Sequence, residues 1–407
     1  MADHSAIEWT DATWNPLRGC SRVSDGCRNC YAEKVAARFS GPGMPYEGLL
    51  HPTTKAWNGS VRLVPEKLVE PLTWKQPRRI FVNSMSDLFH EAVPDAWIDR
   101  IFAVMALTPQ HTYQILTKRP SRMQSYLESF SWELVVASCR GSDGVSLIKR
   151  HTMQALEHHF GQRPASPVTS YKRRDRWPLP NVWLGVSVEN QATAEERIPL
   201  LLQCPAAVRW LSCEPLLGPT NILGHLMKGG QPGRCANCGQ GHGFTRCPNY
   251  GGVATTHYAY EGGPILCDKF RRKYFAIDWV VAGGESGGGA RPMHPDWARA
   301  LRDQCARANV PFFFKQWGEW GQYVNEDHYT YCGAERQPHA WVDRDTAEHG
   351  HCWLVDDDGG WSNYTGLPPM HEDGHILDRV AVVGRFGKRA AGRLLDGREH
   401  NAYPEAL

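Results

Sequence analysis

Six short runs of almost unbroken aliphatic, β-branched and aromatic residues recur along this chain. They are "RIFVN" (79–83), "TYQILT" (112–117), "VWLGVSV" (182–188), "VRWLSC" (208–213), "DWVVAG" (278–283) and "PFFFK" (311–315). Runs without polar alternation suit strands covered on both faces, the condition of a parallel sheet. Between them lie stretches of helical period at 94–109 and 294–309. In the first, Trp97, Ile98, Ile101, Phe102 and Met105 repeat at helical spacing. Such alternation predicts an α/β architecture with right-handed crossovers. A further strand near 12–17 brings the set to seven, which predicts a full or partial (β/α) barrel; an open doubly wound sheet is the second choice.

Polar chemistry follows the strands: "SMSDLF" after the second, "KRP" after the third, "EN" after the fourth, "EPLLGP" after the fifth and "GESGGGARP" after the sixth. In barrels these C-terminal strand ends form the active-site face. Residues 1–321 are therefore read as a barrel-like catalytic domain with two interruptions. One is a basic insertion at 130–180, the other a glycine- and cysteine-rich insertion at 222–275. Residues 322–407 read as a small irregular or β-rich appendage. The N-terminus lacks a basic-then-apolar leader, and no apolar run reaches the roughly 18 residues of a membrane span. A soluble, cytoplasmic protein without membrane association is expected. Thirteen cysteines in that compartment point to metals or burial rather than disulfides. With a formal net charge of only +2, any nucleic-acid contact must rest on local basic patches.

Cys20, Cys27 and Cys30 follow C-x6-C-x2-C spacing and lead straight into an expected helix. Three clustered thiolates leave one metal position open. Structural zinc would need a fourth ligand, with His4 and His51 the nearest histidines. A four-iron cubane needs no further ligand, because three cysteines hold three irons and leave the fourth free. Spacing alone ranks the iron–sulfur reading first, zinc second and metal-free burial third.

The stretch resembles the cluster loop of radical S-adenosylmethionine (SAM) enzymes, especially the branch of spore photoproduct lyase and related DNA-repair-photolyase-like proteins. The matching residues are Asn15, Pro16, Arg18, Gly19 and Cys20, then Gly26, Cys27, Cys30, Tyr31 and Ala32. Two features depart from that pattern: six residues rather than three separate the first two cysteines, and Asn29 stands where an aromatic is common. Most of the chain also looks like an uncharacterised family of phage-associated proteins known for a three-cysteine motif. "LSCEPLLGP", "GGESGGGARPM", "PFFFKQWG" and "GKRAAGRLLDGR" carry that likeness.

The resemblance implies a barrel of the radical SAM type and a [4Fe-4S] cluster on Cys20, Cys27 and Cys30. SAM would be cleaved reductively to methionine and a 5′-deoxyadenosyl radical, with a reductant protein such as flavodoxin or ferredoxin as partner. It also implies tasks for the strand ends. Ser84, Ser86 and Asp87 would meet the methionine amino group, Ser187, Glu189 and Asn190 a ribose hydroxyl, and Glu214 the ribose, adenine or substrate. For each of these, a cap or loop hydrogen bond is the competing role. In the glycine-rich stretch 282–292, Glu285 and Arg291 are the candidate ligand contacts, since glycines let backbone amides approach an anion closely. A tight turn is the plain alternative. Lys315, Gln316 and Trp317 would face the same mouth. No catalytic residue is singled out.

Cys235, Cys238, Cys247 and Cys267 form C-x2-C-x8-C-x19-C. Four thiolates would close a tetrahedral structural zinc (Zn2+) site, with His242 or His257 able to replace one, and an auxiliary iron–sulfur cluster is the alternative. Nucleic acid is one candidate substrate. Lys118-Arg119, the run of Lys172, Arg173, Arg174 and Arg176 beside Tyr171 and Trp177, and "KFRRK" (269–273) offer phosphate contacts with aromatic interleaving. The competing function is a non-catalytic, zinc-stabilised nucleic-acid-binding or adaptor protein of phage or mobile-element origin.

Overall fold

The computed structural model describes residues 5, 7–129, 178–226, 276–322 and 380–404, with short strands at 257–258, 266–267, 352–356 and 361–363. Its centre is one seven-stranded, wholly parallel sheet: β1 (Ala12–Trp14), β2 (Arg79–Val82), β3 (Thr112–Thr117), β4 (Val182–Ser187), β5 (Val208–Cys213), β6 (Trp279–Gly283) and β7 (Phe312–Gln316). Spatial order equals chain order throughout. A doubly wound sheet reverses its order at a switch point, so that second choice is excluded. Right-handed crossovers in one unbroken direction put every connecting helix on the same face.

That face carries α2 (Asp95–Leu107), α3 (Pro120–Glu128), α4 (Gln191–Gln203) and α5 (Pro295–Ala308), while α1 (Tyr31–Arg38) follows the cysteine loop. Ile98, Ile101, Phe102 and Met105 of α2 are buried, as their spacing predicts. They share one core with Val82, Ile115, Leu184, Leu211 and Val280 of the sheet. The opposite sheet face is aromatic. Phe81, Trp183, Trp210, Trp279 and Phe313 surround Trp9 from the N-terminal segment. Trp9 lies 4.8 Å from the Phe81 ring on β2 and 6.3 Å from Trp279 on β6. Four strand steps in a flat sheet span about 19 Å, too far for one indole to meet both. The sheet is therefore curled into a partial barrel around this plug.

Gly185 on β4 makes room for the plug, since a Cβ there would sit 2.4 Å from the Trp210 indole. Trp210 is held in place by its Nε1, which donates to the Ile115 carbonyl at 3.1 Å. Gly185→Ala is expected to destabilise the fold by about 1–3 kcal/mol through overpacking, measured as a lower urea midpoint with unchanged slope.

The C-terminal segment returns to the barrel. Residues 400–402 run antiparallel beside β7, with Phe314 N donating to His400 O at 2.9 Å and Ala402 N to Phe312 O at 3.3 Å. Tyr403 stacks on Trp279 at 5.3 Å and lies under Arg79 at 4.3 Å. The open side between β1 and β7 is thus lined by both ends of the chain. A separate antiparallel sheet is built from β8 (Trp320–Gln322), β9 (Cys352–Asp356), β10 (Trp361–Asn363) and β11 (Val380–Arg385), in the order β8-β11-β9-β10. The basic run 170–177 and the side chains of Cys235, Cys238, Cys247 and Cys267 lie outside the described residues. No helix among the described residues is long and apolar enough to cross a membrane.

Candidate functional site

The cysteine loop follows β1 and folds back over the C-terminal ends of the other strands. Its first part is tied to the segment after β2. Ser86 Oγ donates to Leu17 O at 3.2 Å, Ser84 Oγ to Asn15 Oδ1 at 3.2 Å, and Tyr31 OH to Ser84 O at 2.5 Å. After β3, Arg119 reaches Cys20 Sγ at 3.8 Å and the Ser21 carbonyl at 2.9 Å. After β4, Glu189 accepts from Ser24 Oγ at 3.0 Å. After β6, Asn29 donates to Glu285 Oε2 at 2.9 Å and to Gly289 O at 2.6 Å. Gly26 lets this closeness happen, because a Cβ there would sit 2.5 Å from the Glu189 carboxylate. Segments more than 250 residues apart, such as Asn29 and Glu285, thereby meet on one rim.

Most of the candidate ligand contacts are occupied by the protein itself. Asn190 is the N-cap of α4: its Oδ1 accepts from Thr193 N at 3.0 Å, while Thr193 Oγ1 accepts from Asn190 N at 3.1 Å. This capping box satisfies the orphan amides of a helix start. Asp87 accepts from Thr117 Oγ1 at 2.7 Å, Phe89 N at 2.9 Å and Arg119 Nη1 at 3.1 Å. Glu285 takes Arg291 in a fork at 2.9 and 2.7 Å, and Arg291 in turn donates to Asp25 O at 2.9 Å. Both residues of the glycine-rich stretch therefore lock it to the cysteine loop. Lys34 adds a bond to Gly288 O at 3.0 Å, so this stretch presents carbonyls to cations there.

Two carboxylates lie deeper in the mouth. Glu189 has a side chain only 1% exposed and pairs with Lys118 and with Arg197, the latter at 3.0 Å. Burial alone would push the Glu189 carboxyl up, but the Lys118 and Arg197 charges and the Lys118 and Ser24 hydrogen bonds hold it below the usual carboxylate range. Glu214, after β5, pairs with Lys315 of β7 at 3.0 Å. Ser212 Oγ approaches Glu214 at 3.4 Å, and the charge of Glu214 acts on Tyr31. Ser187 is buried at the end of β4, where its carbonyl accepts from Arg197 at 2.9 Å. Gln316 turns to Ser286 Oγ at 2.8 Å, and Trp317 donates to Leu394 O at 2.8 Å.

The three thiols are free and half-buried. Cys20 and Cys30 pack on an apolar floor that includes Ala36, Leu50, Trp57 and Met85. Burial pushes the Cys20 thiol up to about 12, with Asp87 adding to the rise and Arg119 opposing it; burial also raises Cys30. Among the described residues, no three His, Cys, Asp or Glu side chains are gathered closely enough to hold an ion. Three free thiols, with Cys20 and Cys27 each near enough to Cys30 to feel its charge, fit a four-iron cluster, in which each cysteine binds a different iron and the sulfurs need not converge on one ion.

Sequence reasoning missed Ser21, Ser24, Asn29 and Lys34 as rim contacts, and Arg119 as the partner of Cys20. Their signal was position alone: four lie within or just after the cysteine loop, and Arg119 stands between the end of β3 and the start of α3. Lys118 and Arg119, expected as phosphate contacts, instead turn inward to Glu189, Asp87 and Cys20. No curated protein matches this chain, and no solved structure does. A family model described as protein of unknown function (DUF5131) matches residues 4–404. Because that match covers nearly the whole chain, mouth and cysteine loop included, the protein belongs to the DUF5131 family.

Proposed function

We propose that this protein is a radical SAM enzyme whose cysteine loop holds an iron–sulfur cluster at the mouth of the partial barrel. The observation that carries the reading is the seating of that loop. Tyr31, Arg119, Ser24 and Asn29 bind it to the ends of four different strands, so the thiols overlook the mouth rather than a remote surface. A loop serving only as a zinc-stabilised surface feature would have no need of those strand ends. When bound, the cluster supplies the electron that cleaves SAM to a 5′-deoxyadenosyl radical.

The chain's own residues orient and shield. Cys20, Cys27 and Cys30 would be the ligands, and the Glu285–Arg291–Asn29 latch fixes the loop's height over the mouth. Glu214 and Lys315 are the polar pair best placed to meet a ligand, being partly accessible and held by few other bonds. With Lys118 and Arg119 committed internally, nucleic acid as substrate rests on the other basic segments of the sequence. Full-length protein, reconstituted anaerobically with iron and sulfide and reduced with SAM, is expected to release 5′-deoxyadenosine. Absence of that product from protein with a full complement of iron and sulfide would refute the enzyme reading.

A further inference from the structure

Arg119 is more deeply committed than a surface cation needs to be. Its side chain is 4% exposed, and all five N–H groups have acceptors. Nε donates to the Glu91 carboxylate at 2.9 and 3.1 Å, and Nη1 to Asp87 Oδ2 at 3.1 Å with Cys20 Sγ at 3.8 Å. Nη2 donates to Ser21 O at 2.9 Å and Ser21 Oγ at 2.8 Å. Ser21 Oγ has a second donor in buried His90. Ala92 N donates to His90 Nδ1 at 3.1 Å, which leaves the ring proton on Nε2, 2.9 Å from Ser21 Oγ.

Burying a guanidinium costs several kcal/mol in desolvation unless it is fully paired. Asp87 and Glu91 supply the pairing, and the remaining donors all point at Cys20 and Ser21. We propose that Arg119 is a positioning residue for Cys20 and sets the reduction potential of the iron–sulfur cluster; this rests on the enzyme reading above. Reduction adds one electron, taken from a low-potential reductant of the flavodoxin or ferredoxin class, and no proton. A fixed cation with an N–H directed at a ligand sulfur favours the more negative, reduced form. Asp87 also accepts from Thr117, Phe89 and the Lys118 amide, the last at 3.0 Å, so its placement does not depend on Arg119 alone and the cation can be removed with its anchor expected to stay.

The test compares full-length wild type, Arg119→Met and Arg119→Lys, each reconstituted with iron and sulfide and titrated with dithionite by electron paramagnetic resonance. In Arg119→Met, the reduced-to-oxidised ratio at a fixed potential is expected to fall at least tenfold, about 59 mV for one electron, at unchanged iron content. Arg119→Lys keeps the charge without the fork that reaches both Ser21 and the sulfur, and is expected to fall between. If the Met variant does not fold, the Lys variant decides alone. Equal midpoint potentials in the folded variants and wild type overturn this inference and leave the enzyme reading standing. Wild type that takes up no iron and sulfide overturns both.

Discussion

Replacing Cys20, Cys27 and Cys30 together with alanine is expected to abolish uptake of iron and sulfide, the broad visible absorbance of such a cluster, and all 5′-deoxyadenosine formation. The fold should survive. These side chains are small, half-buried and without disulfides, and the floor beneath them is supplied by Ala32, Ala36, Leu49, Leu50, Trp57 and Met85. Circular dichroism of the triple variant should therefore match wild type. Iron and sulfide bound at wild-type levels by the triple variant would refute the ligand assignment.

Glu189→Ala is expected to be the most destabilising single change on the rim, by about 3–5 kcal/mol, because it leaves Arg197 buried beside an unpaired Lys118. The side chains concerned are 3% exposed for Arg197 and 20% for Lys118. Ser24 loses its acceptor in the same step, so the cysteine loop should loosen as well. The pH dependence follows from the direction of the shift. Glu189 in the fold ionises below its ordinary value of about 4.3. Its ionic contribution is therefore complete above that value and disappears as pH falls through the lower folded one. Urea unfolding should show the wild-type advantage over Glu189→Ala shrinking between neutral and strongly acidic pH. A constant difference across that range would refute the ionic role.

The strands were legible because burial on both faces leaves a local trace. All six apolar runs match the observed strands to within one residue at either end, and "TYQILT" and "VRWLSC" coincide with β3 and β5 at both. The strand near 12–17 proved shorter: β1 stops at Trp14, and Leu17–Arg18 pairs instead with Arg62–Leu63. Local residues cannot state which distant strand will offer a partner, and that choice ends β1.

Roles at the mouth divided along the same line. The sequence by itself determined the seven strands, the register of helical faces and the concentration of polar residues at strand ends, since these follow from hydrophobic period and chain order. It also marked Cys20, Cys27 and Cys30, whose spacing is a local property. Only the tertiary structure decided what each polar residue does. Asn190 caps α4, Arg291 locks Glu285 and Asp25, and Arg119 turns to Cys20 rather than outward. A carboxylate or guanidinium carries the same letter whether it meets a ligand or another part of the chain. Its partner is fixed by curling the sheet around Trp9, which brings residues 99 to 260 positions apart within hydrogen-bonding reach.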